Sequence, residues 1–329
     1  MSTKVFLTLI IAIVFRLSAN AQKADTVVYY MKSITGIDRP VTVKDSADFY
    51  RMLTPSTDDP KEMNLYIVED YYKDMKPKMI GKTHNNRPIL QLDGSSIEFF
   101  PNGHRKAIRN YINGKPSGDV TEYFPNGQVY ISGVCGKYNE IIINESRDST
   151  GRVLVKNDSG YYVKYDAEFK NVIEEGNIIN GTYDGEVHGQ LNDSINYMCI
   201  YTKGRLKRGI SYSKSGKKYS FYNAEIEPYF TGGIDAFYKD MRQSLDYPRF
   251  AKDNHIQGTV ILTFFVERDG ALTDVRVLSG IGGGCDEEAV RVVKQSRKWQ
   301  PGKKYGVPVR AKYTVLLNFS LSHKRDNGD

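Results

Sequence analysis

A chain of 329 residues with 40% hydrophobic and 26% charged content carries enough apolar material for two or three cores, which excludes wholesale disorder. Lysine and arginine exceed aspartate and glutamate by 46 to 39, a formal charge of +7, but no block of Lys and Arg is interleaved with aromatics, which excludes nucleic acid as the expected partner. The five histidines lack metal-ligand spacing, and Gly-x-Ser-x-Gly, P-loop and His-Glu-x-x-His signatures are missing, so the expectation is no catalytic residue, no metal, no cofactor and no enzyme.

At the N-terminus, Lys4, the apolar run Val5 to Phe15 and the pattern Ala19, Asn20, Ala21 read as a secretory signal over residues 1–21. The run is shorter than the ~20 residues a membrane-spanning helix needs, so a mature chain starting near Gln22 in the periplasm is expected. Arg16, directly after the run, keeps a retained membrane anchor open as the alternative. Residues 22–64 hold strand-like patches at Thr26 to Tyr30 and Val41 to Val43, then a polar stretch from Thr54 to Lys61, and are expected to start the first sheet layer. Cys135, Cys199 and Cys285 lie far apart with no Cys-x-x-Cys, which indicates neither zinc nor a dense disulfide framework. A Cys135–Cys199 bridge and separate buried thiols both remain open.

From about residue 65 to 222 the chain repeats. Phe100, Pro101, Asn102, Gly103 recurs at Phe124, Pro125, Asn126, Gly127, with a weaker Ser149, Thr150, Gly151 one period later, at a spacing of 24 each time (127 − 103 and 151 − 127). In such a turn Pro fixes φ, Asn tolerates the left-handed region and Gly adopts positive φ. A second turn at Asn113/Gly114 lies between the copies, so each period is a β-hairpin. A degenerate unit precedes them at Tyr71 to Asp74, with Met75 in the Gly position, and further turns are expected at Asn180/Gly181, Asp184/Gly185, Lys203/Gly204 and Ser215/Gly216. One hairpin cannot bury its apolar face, whereas a stack of them can. The aromatic pair, the Pro-Asn-Gly turn and the stretch Gly114 to Gly118 resemble the MORN-type repeat and its bacterial variants, which implies a scaffold or an interaction surface.

Beyond Phe230 the pattern changes. Ile234, Phe237, Tyr238, Met241 and Leu245 mark one face of a helix, which must end before Tyr247 because Pro248 disfavours helical backbone in its predecessor. Thr259 to Val266 reads as a largely buried strand, and Asp269/Gly270 turns it into an antiparallel partner, Ala271 to Leu278. A second helix follows the run Gly282 to Gly284, with Asp286, Glu287 and Glu288 in its first turn and Lys294, Arg297 and Lys298 in its last, as the helix dipole favours. That glycine run is no phosphate loop, since the acidic turn repels anions. Trp299 is expected to anchor the core, and a third strand is expected over about Val309 to Leu321. The fold class is therefore mainly β, as stacked hairpins, followed by a small α+β domain with a three-stranded antiparallel sheet and two helices. The polar tail is 322–329.

Tyr247/Pro248, Gly258/Thr259/Val260, Asp269/Gly270, Asp286 with Glu288/Ala289, Trp299 with Pro301/Gly302, and Gly306 with Pro308/Val309 occur in order over residues 230–321. This set resembles the TonB C-terminal domain. The resemblance implies a periplasmic protein-binding module that captures an extended segment of an outer-membrane receptor by adding it to a sheet edge. It places Tyr247 and Pro248 beside the receptor contact, with Asp246 where known members carry a polar amide. It makes Val309 to Phe319 the accepting strand, with Val309, Arg310, Lys312, Tyr313, Thr314, Leu316 and Asn318 as binding residues. The partners implied are a TonB-dependent receptor or another envelope protein, an inner-membrane proton-driven complex, and a homodimer through the sheet edge. A cell-envelope scaffold, or an energy transducer if the signal is retained, are the alternatives to a periplasmic adaptor.

Overall fold

The computed structural model describes residues 26–34, 37–56 and 64–321. The signal-like segment and the polar tail lie outside the described residues. The chain forms two compact units, Met1–Ser159 and Gly160–Asp329. The first seventeen strands are antiparallel hairpins, shared between the two units.

In the first unit these strands are β1 (Val27–Ile34), β2 (Ile37–Val41), β3 (Phe49–Pro55), β4 (Tyr66–Tyr72), β5 (Pro77–Thr83), β6 (Gly94–Phe99), β7 (Arg105–Ile112), β8 (Lys115–Tyr123), β9 (Val129–Cys135), β10 (Ile141–Arg147) and β11 (Val153–Lys156). β1 pairs with both β2 and β3, and from β3 to β11 each strand pairs with the next. Residues 26–56 thus contribute to the first sheet, as expected. Leu53, Val68 and Met79 form a buried cluster against Leu90 and Leu92 of the segment joining β5 to β6.

The 24-residue period is a hydrogen-bonded rung. Asn102 Nδ2 donates to the carbonyl of Pro125 at 2.8 Å, and Asn126 Nδ2 donates to the carbonyl of Ser149 at 3.1 Å. Each turn therefore holds the next copy of itself. The third copy has Thr150 in the Asn position and makes no such bond among the described residues.

The Gly-x-x-x-Gly stretch has two different jobs. Asn113 and Gly114, at φ 50 and 79, form a two-residue turn closed by the pair Ile112 and Lys115. Gly118, at φ 70, lies inside β8 where the register jumps between Tyr111↔Pro116 and Arg109↔Val120, so it makes a bulge. In the second unit Asn180/Gly181 and Gly185 repeat the arrangement. The turn expected at Asp184/Gly185 is thus a bulge within a strand, because positive φ serves bulges as well as turns.

The second unit continues the hairpins with β12 (Ser159–Tyr165), β13 (Val172–Ile179), β14 (Thr182–Asn192), β15 (Ile195–Thr202), β16 (Arg205–Ser213) and β17 (Lys218–Phe221). Three very short strands follow in a separate sheet of order β18-β21-β22: β18 (Glu225–Ile226), β21 (Gly302–Lys304) and β22 (Val307–Val309). The last sheet has β19 (Gly258–Val266) between β20 (Leu272–Ser279) and β23 (Ala311–Phe319). Its helices are α1 (Gly233–Ser244), α2 (Arg249–Asp253) and α3 (Cys285–Lys294). The expected two helices, hairpin and final strand are all present, and α2 with the small sheet are additions.

One core unites this C-terminal part. Phe237 and Met241 of α1, Val292 and Val293 of α3, and Val260, Leu262, Phe264 and Val266 of β19 are buried in it. Each such side chain is worth roughly 1.5–3 kcal/mol of burial. Trp299 sits among Phe230, Phe237, Phe264 and Tyr313 with ring centroids 4.8 to 5.8 Å away, and is 2% exposed. It anchors the core as expected. All three cysteines are free thiols, and burial pushes Cys199 up to about 12. Among the described residues no helix is long and apolar enough to cross a membrane.

Candidate protein-binding edge

β19 is buried at Val260, from Leu262 to Phe264 and at Val266, so it is the central strand of the sheet, with partners on both of its sides. β23 pairs with it without interruption through nine residues, from Gly258↔Phe319 to Val266↔Ala311. Its own side chains alternate strictly: Val315, Leu317 and Phe319 enter the core while Lys312, Thr314, Leu316 and Asn318 face solvent.

The parity of the backbone follows from two contacts. Thr263 Oγ1 donates to the Tyr313 carbonyl, which therefore faces β19, and the Leu316 N–H points to the Tyr238 hydroxyl at 3.5 Å, away from β19. In an antiparallel pair the N–H and C=O of one residue face the same side. Lys312, Thr314, Leu316 and Asn318 thus present both groups on the open side. The N–H groups of Lys312, Thr314 and Asn318 and the four carbonyls form a row that can template another strand, with the Leu316 N–H already turned to Tyr238.

The sheet has a second edge, β20, and it is unlike the first. Its register to β19 shifts twice, and Asp274 within it adopts φ 51. Bulges of this kind twist an edge away from further pairing. Only β23 is both unpaired on one side and regular.

Of the residues expected at the site, the structure brings Lys312, Thr314, Leu316 and Asn318 together on the edge, while Tyr313 turns its ring into the core against Trp299. Val309 is not in the accepting strand. It pairs with Gly302 in the β21–β22 hairpin, and the expected strand Val309 to Leu321 is broken at Arg310. Arg310 lies 3.4 Å from the Phe265 ring centroid and bonds Glu267 and Asp274, which explains the break: its side chain clamps onto the neighbouring hairpin. Glu267 is held below the ordinary carboxylate range by hydrogen bonds from Thr273 and Arg310.

Asp246, Tyr247 and Pro248 form a brace at the end of the edge. The Tyr247 hydroxyl donates to the Ile256 carbonyl at 2.6 Å and its ring meets Phe319 edge-on at 5.6 Å. Burial raises its pKa. Pro248 caps α2, with φ −60. The Asp246 side chain is 96% exposed, while its N–H donates to Glu288 Oε1 at 2.7 Å. Arg291 bonds Glu288 and holds its carboxyl below the ordinary range. Tyr247 and Pro248 therefore position the last residues of β23, and Asp246 alone among the three is open to a partner.

Sequence reasoning did not single out two residues here. Tyr238 was read only as part of a helix face. Tyr305 is the other: with Gly306 it forms the two-residue turn of β21–β22, at φ 49 and 77, and it reaches back to the hairpins. Its ring stacks on Tyr197 at 3.9 Å and 10°, and Ser211 Oγ donates to its carbonyl at 2.6 Å. Tyr197 in turn donates to the buried carboxylate of Glu174 at 2.6 Å. Burial raises the hydroxyls of both tyrosines above the ordinary range. An aromatic preceding Gly between two short β patches was the available signal.

No curated protein matches the chain. Residues 243–321, which contain the brace, the three strands of the last sheet and α3, match the family described as the Gram-negative bacterial TonB protein C-terminal.

Proposed function

We propose that this protein is a periplasmic adaptor whose C-terminal domain binds other envelope proteins, a TonB-dependent outer-membrane receptor among them, by accepting an extended segment on the free edge of β23. The observation that carries the reading is the uninterrupted nine-residue register of β23 beside its outward row of backbone groups. The family match over residues 243–321 supports a role in envelope transport. Backbone hydrogen bonds would supply affinity, and the exposed side chains of Lys312, Thr314, Leu316 and Asn318 would select the segment. The protein acts in this reading by binding, not by catalysis. The hairpins, in the manner of MORN-type repeats, serve as scaffold, and an inner-membrane proton-driven complex is a further partner if the N-terminal segment is retained as an anchor.

Proline substitution tests the edge directly. Thr314→Pro and Leu316→Pro each remove an outward N–H, so both variants should stay folded and lose capture of receptor peptides in calorimetry, by tenfold or more. Val315→Pro removes a bond to β19 and should unfold the domain at a cost of about 3 kcal/mol or more. Unchanged affinity in the two folded variants would mean that partners bind elsewhere.

A further inference from the structure

The first unit contains a cavity of about 500 Å³, inside the ~300–1,000 Å³ range of small-molecule sites. Its walls come from β2 to β7 and from Ile89, Leu90 and Leu92 of the segment between β5 and β6. Nothing in the reading of the β23 edge uses it.

The charges in its lining cancel. Arg51, Lys78 and Lys106 stand against Asp38, Asp70 and Glu98. Arg51 is buried and bonds Asp70 at 2.7 Å and Asp38 at 3.3 Å, while Lys106 lies 3.7 Å from Glu98. The Lys78 ammonium rests 3.8 Å from the centroid of the Phe49 ring. An ion entering such a balanced lining would give up its hydration without an opposite charge to meet it.

The groups left open are neutral. Ser96 is 4% exposed and lines the cavity, and its hydroxyl has no hydrogen-bond partner among the described residues. The Tyr111 hydroxyl is likewise unpartnered there, and the register Gly94↔Tyr111 and Ser96↔Arg109 puts both side chains on one face of the β6–β7 hairpin. The Tyr72 hydroxyl, in contrast, is committed to the Phe99 carbonyl at 2.7 Å, so Tyr72 contributes ring surface to the wall. A hydroxyl that faces an open cavity without a protein partner is available to a ligand or to water.

We propose that this cavity binds a neutral saccharide unit, whose hydroxyls pair with Ser96 and Tyr111 and with the lining carboxylates, and whose apolar ring face lies on Tyr72. Net neutrality, two unpartnered hydroxyls on one face of the β6–β7 hairpin and an aromatic ring in the wall match a polyhydroxylated ring without formal charge. A free sugar and a sugar within an anchored glycan share this chemistry.

Calorimetry on the full chain tests it, with glucose, galactose, mannose, N-acetylglucosamine and their β-linked disaccharides as probes, and glucuronate and glucosamine as charged controls. At least one neutral probe should bind, and the charged controls at least tenfold more weakly. Ser96→Ala and Tyr111→Phe, which remove only a hydroxyl, should each weaken binding by about three- to tenfold with little change in melting temperature. Sedimentation with insoluble β-glucan and chitin, under the same variants, separates an anchored glycan from a free sugar. Absence of binding to every soluble and insoluble neutral probe, equal binding of the charged controls, or affinity unchanged in both variants would overturn the proposal.

Discussion

At the scale of single residues, the repeat is held by one amide per turn. Asn102 loses its bond to the Pro125 carbonyl in Asn102→Ala, and the rung between two hairpins goes with it. Urea denaturation should show a loss of about 0.5–1.5 kcal/mol, and Asn126→Ala a similar one. The sequence revealed these turns because Pro, Asn and Gly each answer a backbone requirement that can be read without a fold. Met75 is an example: it was placed in a glycine position, and it has φ 65. The same logic misplaced Gly185, since a bulge and a turn ask the same of φ and only the strand pairing distinguishes them.

At the scale of elements, the C-terminal domain is tied together by carboxylates. Glu288 joins α3 to the backbone of Asp246 through its bonds with Arg291 and the Asp246 N–H, and Glu267 joins the β19–β20 hairpin to Arg310 before β23. Both are held below their ordinary value of 4.5, Glu288 by the Arg291 hydrogen bonds and Glu267 by those of Thr273 and Arg310. A carboxylate with a lowered folded-state pKa stabilises the fold above its unfolded pKa, and that contribution is lost as the pH falls through the folded value. The denaturation midpoint should therefore be flat above about pH 5 and fall below about pH 4.5. Glu288→Gln should start lower and fall less steeply, and equal slopes in the two proteins would contradict the assignment. The long elements here were legible because amphipathic spacing over ten residues is unambiguous. α2, with five residues, and β18, β21 and β22, with two or three, are too short to show a period. The break at Arg310 was hidden because the alternation of Val307, Pro308 and Val309 runs in phase with that of β23, and only the clamp on Glu267 and Asp274 interrupts it.

At the scale of the second unit, the TonB-like domain is not hung on a bare linker. The Tyr305 turn lies on the last hairpins, where its N–H bonds the Ala224 carbonyl at 2.6 Å and its ring stacks on Tyr197. No sequence pattern pairs residues 108 positions apart (305 − 197), so this contact was out of reach. Tyr305→Ala leaves the Trp299 core untouched and removes a stacked aromatic pair worth about 0.5–1.5 kcal/mol beyond its burial. A fragment starting at Gly160 should lose its single cooperative transition on this change, with the hairpins melting before the domain. Tryptophan fluorescence, which reports on Trp299, and far-ultraviolet circular dichroism, which reports on the strands, should then diverge in midpoint. Coincident midpoints would show that the two parts are coupled by other contacts.

The rung between Asn102 and Pro125 also constrains how such a chain can change length. Because the turn at Phe124 to Gly127 accepts from the copy before it and donates to the copy after it, the unit of inheritance is the whole 24-residue period. Excision from Gly103 through Asn126 would rejoin Phe100, Pro101 and Asn102 to Gly127 and restore the turn, with the Ser149 carbonyl as the next acceptor. It would also remove two strands, β7 and β8, so that β6 and β9 would meet still running in opposite directions. Unequal crossing-over between the two copies of that motif is thus compatible with a folded product. A deletion of an odd number of residues within one of these strands shifts its alternation, turns its buried side chains to the wrong face, and is expected to destabilise the fold.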